Sequence, residues 1–419
     1  MTRGFFLRPE LLLKMKSRTF LVLIIMTTTL KAQLADELFN SYDSFKARDV
    51  TSRRFTQTDL FQWLKPFEEQ KLFQKSDAGK SAEGRTIYLL TLGRGTTKVL
   101  LWSQMHGDEP TATMALVDML SFMSRNPDHP VVVSIREKLS LLILPMLNPD
   151  GAERFQRRSA HQIDINRDAL RLETPEARVL KDIQQKYRPE FGFNLHDQDP
   201  RYTVGESKKV TAIALLAPAM NEARSDNEVR TRAKKIAATV SGILHQFIPG
   251  HVAKYDDTFE PRAFGDNIQK WGTSTVLIES GGWPDDRDKM FLRKLNFVCL
   301  LSTLSAIADG SFAKAALSTY ENLPFNTKNL YDVIIRNVQL KSHGSIPAAK
   351  VDIGFNIEEQ LDASTKKIQL IARVVDIGDL STFASFEEIE GGNTLLDGDR
   401  IQLDRVIPYS EVKSFIQKR

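Results

Sequence analysis

The chain has 419 residues, 42% of them hydrophobic and 26% charged, with a formal net charge of +4. That length buries one large core and a smaller second domain. The small net charge, with several basic residues gathered at Arg3, Arg8, Lys14, Lys16 and Arg18, excludes an electrostatic case for nucleic-acid binding. The single cysteine, Cys299, excludes an intrachain disulfide; in its apolar helical run it is expected to be a small buried side chain rather than a reactive thiol.

The N-terminus reads as an export signal. A basic start, Lys14-Met15-Lys16-Ser17-Arg18, precedes an apolar stretch from Thr19 to Leu30, and Ala32 offers a small residue for cleavage near residue 33. The stretch is well short of the ~20 apolar residues of a spanning helix. Residues 1–33 are therefore expected to be removed, leaving an exported protein, periplasmic or secreted, with no stable membrane span; an uncleaved anchor is the alternative. Met15 is a second candidate start beside Met1.

From Leu34 to Lys75 the chain is polar with helical spacing, and Thr56-Gln57-Thr58-Asp59 opens a helix whose Phe61 and Trp63 are expected in the core. Strand character follows at Arg85 to Leu92 and Thr97 to Met105, then an amphipathic helix at Thr111 to Ser124. Leu139 to Leu147 is a near-continuous apolar run, as in a strand buried on both faces, and it stops at the turn Asn148-Pro149-Asp150-Gly151. Thr174-Pro175-Glu176 caps a helix to Tyr187. Strands at Phe191 to His196, Val210 to Leu216 and Thr273 to Ile278 alternate with helices at Met220 to Phe247 and Asp288 to Ala308. This is an α/β pattern: a mixed, largely parallel sheet with helices on both faces. After about Asp309 the texture changes to strands at Asn329 to Leu340, Ala349 to Phe355, Lys366 to Val375 and Asp399 to Leu403, punctuated by glycines. The expected division is a main domain over 34–312 and a small C-terminal β domain over 313–419.

Four apolar strands end at polar residues suited to one site. The strand from Thr97 leads to His106 and Glu109, that from Phe191 to His196, and that from Thr273 to Glu279. The run from Leu139 leads through its turn to Arg157, Asn166 and Arg167. Open α/β sheets bind ligands outside the carboxyl ends of their strands, so one crevice could collect them all. Two imidazoles and one carboxylate, His106, Glu109 and His196, suit one catalytic Zn2+ with an open position for water. Glu279 can then take a proton from that water and pass it to a leaving amine, Arg157 can face a developing oxyanion, and Arg167 with Asn166 can grip a substrate carboxylate. Arg158 competes with Arg157 for its role. His129, His161, His245, His251 and His343 lack partners at motif spacing and are expected at the surface.

These residues resemble the zinc metallocarboxypeptidase family over roughly Ser81 to Asp309. Its His-x-x-Glu motif is matched by His106-Gly107-Asp108-Glu109, its Asn-Pro-Asp-Gly turn at Asn148 to Gly151, and its Asp-x-Asn-Arg motif at Asp164-Ile165-Asn166-Arg167. The resemblance implies that His196 is the third zinc ligand and Glu279 the general base. It also implies that Asn166 and Arg167 bind the terminal carboxylate and that Asp164 orients His106 from behind. Arg157, nine residues before Asn166, has the spacing of the oxyanion arginine in small bacterial members. The sequence departs from the pattern at Asp168, where the family commonly has Asn, and at the substrate-capping Tyr, for which Tyr255 is the nearest Tyr and Phe259 an alternative alignment. The specificity pocket is expected between Phe259 and Trp271, where Asp266 would favour a basic side chain. The His-Gly-Asp-Glu form looks more like bacterial murein-peptide amidases and acylamino-acid deacylases than like digestive carboxypeptidases. The expectation is thus a zinc-dependent hydrolase cutting a peptide or amide bond next to a free carboxylate, with a peptide or murein peptide as substrate. The alternatives are an N-acylamino-acid deacylase, which export argues against, and a non-catalytic binding protein of the same fold, which the presence of Glu279 argues against.

Overall fold

The computed structural model describes residues 33–341, 345–361 and 368–417; residues 1–32, where the expected export signal falls, and His343 lie outside them. The chain opens with helix α1 (residues 33–45), α2 (Gln57–Glu69) and an antiparallel pair, β1 (Gln74–Lys80) and β2 (Thr86–Leu92). Next come β3 (Thr97–Trp102), α3 (Thr111–Arg125), α4 (Pro130–Lys138), β4 (Leu139–Leu144), α5 (Pro149–Arg154) and α6 (Pro175–Tyr187). The main part finishes with β5 (Phe191–Asp197), β6 (Thr203–Val204), β7 (Ile213–Leu216), α7 (Glu228–Leu244), β8 (Val252–Lys254), α8 (Phe264–Lys270), β9 (Ser274–Ser280) and α9 (Met290–Ala308).

Eight of these strands form one sheet in the order β1-β2-β4-β3-β5-β9-β7-β8. Its centre, β4-β3-β5-β9, is parallel, while β1/β2, β2/β4 and β7/β9 pair antiparallel. The alternation of side chains along β3 shows why its sequence is apolar throughout. Val99 and Leu101 join one core cluster with residues of α1, α2, α3, α4, α7 and α9; Leu100 and Trp102 join a second with residues of α6 and α8. Both faces of the sheet are covered, so both sets of alternate positions are apolar.

The first cluster holds a buried ion pair. Arg293 of α9 grips Asp118 of α3 with two bonds at 2.6 and 2.7 Å, and Asp118 also accepts from the Tyr42 hydroxyl and from Ala47 N. Arg293 donates in turn to the carbonyls of Val50 and Ala47, which fastens α1 and its exit to the central helices. Among the described residues α9 alone is long and apolar enough to cross a membrane, and 78% of its most apolar window is buried within this core. Cys299 lies on it, fully buried, and burial pushes its thiol up to about 12, an inert side chain as expected.

The C-terminal strands are β10 (Asn326–Thr327), β11 (Leu330–Lys341), β12 (Ala349–Leu361), β13 (Ile368–Gly378), β14 (Ala384–Glu390), β15 (Leu395–Asp397) and β16 (Val406–Pro408). β10 pairs with β6, and the others form a sheet in the order β14-β11-β12-β13-β16 with β15 beside β11. Val333, Ile335, Ile353, Phe355 and Val374 centre a separate core there, whereas Tyr320 and Leu323 still belong to the main one.

Two of the expected elements differ, while β1 and α4 are additions to the expected set. The helix read from Met220 begins only at Glu228: Asn221 accepts from Ser225 N, Arg224 has φ 50°, and Asn227 caps the helix by accepting from Arg230 N. The strand read at Asp399 to Leu403 is instead a short 3-10 turn, Gly398–Arg400, because Asp397 accepts from Asp399 N and caps it.

Candidate metal centre

The loop between β3 and α3 carries His106 and Glu109 past the end of the sheet. Gly107 is required there: a Cβ would lie 2.0 Å from the backbone carbon of Gly151, so the loop rests directly on the Asn148-Pro149-Asp150-Gly151 turn. That turn starts α5, with Asn148 Oδ1 accepting from Gly151 N at 2.8 Å. His196 and Glu279 arrive on neighbouring parallel strands, directly opposite each other in the β5/β9 register. Topology alone therefore brings four residues from three segments to one point.

His106 Nδ1 lies 2.7 Å from Glu109 Oε1, and His196 Nδ1 lies 2.6 Å from Glu109 Oε2. The three residues form the one possible metal-holding group found among the described residues, their ligand atoms all within 4.8 Å of one another. Asp164 Oδ1 stands 3.1 Å from His106 Nε2, which places the ring proton on Nε2 and the lone pair on Nδ1. Lone pairs of imidazole and carboxylate that face each other this closely need a proton or a cation between them. Two buried nitrogens and one carboxylate oxygen are a donor set that fits zinc.

The charges agree with this arrangement. Burial opposes the charged form of His106, but the charge of Glu109 and the Asp164 hydrogen bond raise it to about 9. Against its own burial, Glu109 is held well below the usual carboxylate range by the two imidazoles. His196 is pushed down by burial, and its Nε2 has no hydrogen-bond partner among the described residues. Asp164, although half-buried, is held low by His106 and Arg157. Glu279 is different: burial, then the charge of Glu109, push it up to about 8, and its Oε2 is buried without a hydrogen-bond partner among the described residues.

Arg157 reaches this centre and Arg158 does not. Arg157 bonds Glu109 at 2.9 Å and Asp164 at 3.0 Å, whereas Arg158 donates to Gln162 O in its own loop. A cavity of 430 Å³ opens from the centre, lined by His106, Glu109, Arg157, His196 and Glu279 together with Asn166 and Arg167. Asn166 Oδ1 accepts from Phe264 N at 2.9 Å, which fixes its amide on the cavity wall. Arg167 is half-exposed and lies 3.5 Å from Glu260. Every residue of the expected site thus lies on one cavity or directly behind it.

Other expectations resolve individually. Tyr255 and Phe259 both line this cavity, as does Asp266. Asp168 is buried and binds Thr174 N and Oγ1, holding the start of α6 rather than facing the cavity. His161 and His245 are exposed, but His129 and His251 are half-buried with partners: His129 caps α4, and His251 bonds Val210 O and packs on Trp283. Gln198 and Tyr202, also on the cavity, were not singled out by sequence; neither belongs to a spaced motif, and only their nearness to His196 hinted at them.

Burial raises Asp266 from 3.8 to about 7. A carboxyl raised on folding binds its proton more tightly in the folded state, so stability is fully present below about pH 4 and declines as pH rises through 7. Asp266→Asn keeps an acceptor for Glu260 N, which now bonds Asp266 Oδ1. The variant is expected to be more stable than the parent at about pH 8.5 by on the order of 2 kcal/mol, and equal to it near pH 4. Thermal melts at the two pH values check this; an equal difference at both would show that Asp266 is not the titrating group.

Residues 60–194 match the family model described as zinc carboxypeptidase. Similar proteins include carboxypeptidase 2 of Trichophyton rubrum, 28% identical over 174 residues, 39% of this chain and 32% of that protein. Carboxypeptidase SOL1 of Arabidopsis thaliana is 26% identical over 178 residues, 38% and 36% of the two chains. The matched stretch thus spans about a third of the length of these relatives. Among solved structures the chain is similar to a metallo-carboxypeptidase from Burkholderia cenocepacia, with 17% identity, a TM-score of 0.48, and 62% of this chain and 70% of that one covered. The family match over residues 60–194 and the donor set agree on the metal, and this part of the chain is similar to zinc carboxypeptidases.

Proposed function

We propose that the protein is a zinc-dependent carboxypeptidase that hydrolyses a peptide or amide bond next to a free carboxylate. The observation that carries this reading is the convergence of His106, Glu109 and His196 beside Glu279, whose Oε2 is buried without a hydrogen-bond partner among the described residues, on the same cavity as Asn166 and Arg167. In this assignment His106, Glu109 and His196 hold the ion, and zinc supplies a Lewis acid that polarises the carbonyl and activates water. Glu279 takes a proton from the attacking water and delivers it to the leaving nitrogen; its raised affinity for a proton suits both halves of that transfer. Arg157 faces the carbonyl oxygen as negative charge develops there. Arg167 and the Asn166 amide bind the substrate carboxylate and fix which bond is cut. Asp164 holds the His106 ring and the Arg157 guanidinium in place at once.

The substrate class we propose is a peptide with a free α-carboxylate, murein peptides included, met outside the cytoplasm after removal of residues 1–33. Asp266 on the cavity wall favours a basic terminal side chain. The division into a main domain over 34–312 and a β domain over 313–419 is part of the same reading. It is tested with the zinc-loaded protein on peptides of varied terminal residue, murein peptides and N-acylamino acids. Release of the terminal residue, abolished by a chelator and restored by zinc, is the expected result. Cleavage of acylamino acids alone would make the protein a deacylase. Stoichiometric zinc with no turnover of any member would make it a binding protein.

A further inference from the structure

A second cavity, of 690 Å³, lies between the main sheet and the C-terminal one. It shares Glu109, Arg157, Asp197, Gln198 and Asp199 with the cavity already described, so the two meet at the metal centre. It extends away from Asn166 and Arg167, which line only the first. Its far wall comes from the C-terminal strands: Asp332 of β11, Glu358 and Glu359 of β12, Phe386 and Glu387 of β14, and Tyr409 just after β16.

We propose that this C-terminal wall is a specificity surface for the segment on the amino side of the bond cut, and that it selects an extended peptide carrying a basic side chain. The inference rests on the carboxypeptidase reading, which anchors the terminal carboxylate at Asn166 and Arg167. With that end fixed and the carbonyl at Arg157, the rest of the peptide leaves by the second cavity. An extended chain advances about 3.3 Å per residue, so a space of this size takes two or three residues.

Three observations support a built surface rather than a chance gap. The wall is fastened: Arg54 binds Glu359 at 2.6 Å, Arg201 binds Asp332 at 2.8 Å and Ile357 O at 2.8 Å, and a Cβ on Gly282 would lie 2.9 Å from the Phe386 ring. Polar groups at the junction are unspent: Gln198 Nε2 and Asp197 Oδ1 are buried without hydrogen-bond partners among the described residues. Gln198 Oε1 is tied to Asn326 Nδ2 at 2.7 Å, which fixes the amide so that the donor remains. A peptide backbone offers the matching carbonyl and N–H. The charge balance is also one-sided. Ten acidic and six basic residues line the cavity, and every cation except Arg287, which lies over the Tyr409 ring, is already paired with a carboxylate. Asp108, Asp285 and Asp286 have no ion-pair partner among the described residues, leaving the cavity net negative toward an incoming side chain.

The test uses the full zinc-loaded chain and substrates with one common terminal residue: a blocked dipeptide, and pentapeptides with Lys, Ala or Glu two residues before the bond. The parent is expected to favour the Lys over the Glu pentapeptide by about tenfold in kcat/KM. Phe386→Ala and Tyr409→Ala should lower the ratio of pentapeptide to dipeptide kcat/KM by roughly tenfold, mainly through KM. Asp285→Asn lies on an exposed loop at φ 58°, a conformation Asn accepts, and should narrow the Lys preference by about threefold without touching the C-terminal core. Ratios and preferences unchanged in all three variants would overturn the proposal while leaving the carboxypeptidase reading intact. If the dipeptide itself is not cleaved, that reading fails instead. Calorimetry of the pentapeptides on zinc-loaded Glu279→Gln then reads the wall directly, and equal binding of the Lys and Glu peptides overturns it.

Discussion

Glu279→Gln is expected to keep one zinc per chain and to lose about three to four orders of magnitude in kcat with little change in KM. Gln occupies nearly the same volume and stays on the same strand end, opposite His196 in the β5/β9 register, so ligand geometry is preserved. What disappears is the carboxylate proposed to receive a proton. Burial and the charge of Glu109 push the parent carboxyl up to about 8, in the range where a proton-transferring group works. Metal analysis with steady-state kinetics on both proteins checks this. A variant with full zinc and parental kcat would move the base elsewhere in the cavity.

Glu109→Gln is expected to act one step earlier, at the ion. Glu109 faces both imidazole Nδ1 atoms and accepts from Arg157, so its charge holds three groups in register. A neutral amide leaves Arg157 and His106 facing each other with no anion between them. Zinc affinity should fall by at least about 100-fold, and activity should fall with it. Competition against a chromophoric chelator measures the first quantity and added zinc the second. Parental affinity in the variant would show that the ion is held by another set of residues.

The parts of the fold that were legible in the sequence are those buried on both faces. β3 and β4 read as apolar runs because alternate side chains meet different helix layers, while β5 and β9 put Phe191, Phe193, Leu195, Val276 and Ile278 on one face. β1 did not: Gln74–Lys80 is an exposed edge strand held by backbone pairing to β2, and its sequence carries no apolar alternation. α4 buries only Val132 and Ile135, too little for a helical period to show. The same logic governs the site. His106, Glu109, Asp164, Asn166 and Arg167 were legible because local spacing constrains them. Gln198, Tyr202 and the C-terminal wall act through tertiary placement, and residues joined only by the fold of distant segments leave no spacing to read.

The anchorage of α1 has a consequence for what counts as the folding unit. Ala35, Leu38, Tyr42 and Phe45 lie in the main core, and the exit of α1 supplies acceptors to the buried Arg293. A chain that keeps α9 but starts at residue 60, where the family match begins, would bare that face of α3 and α9 and strip the Arg293–Asp118 pair of its outer ligands. A folding unit that keeps this core therefore includes α1, a full helix upstream of where the family match begins.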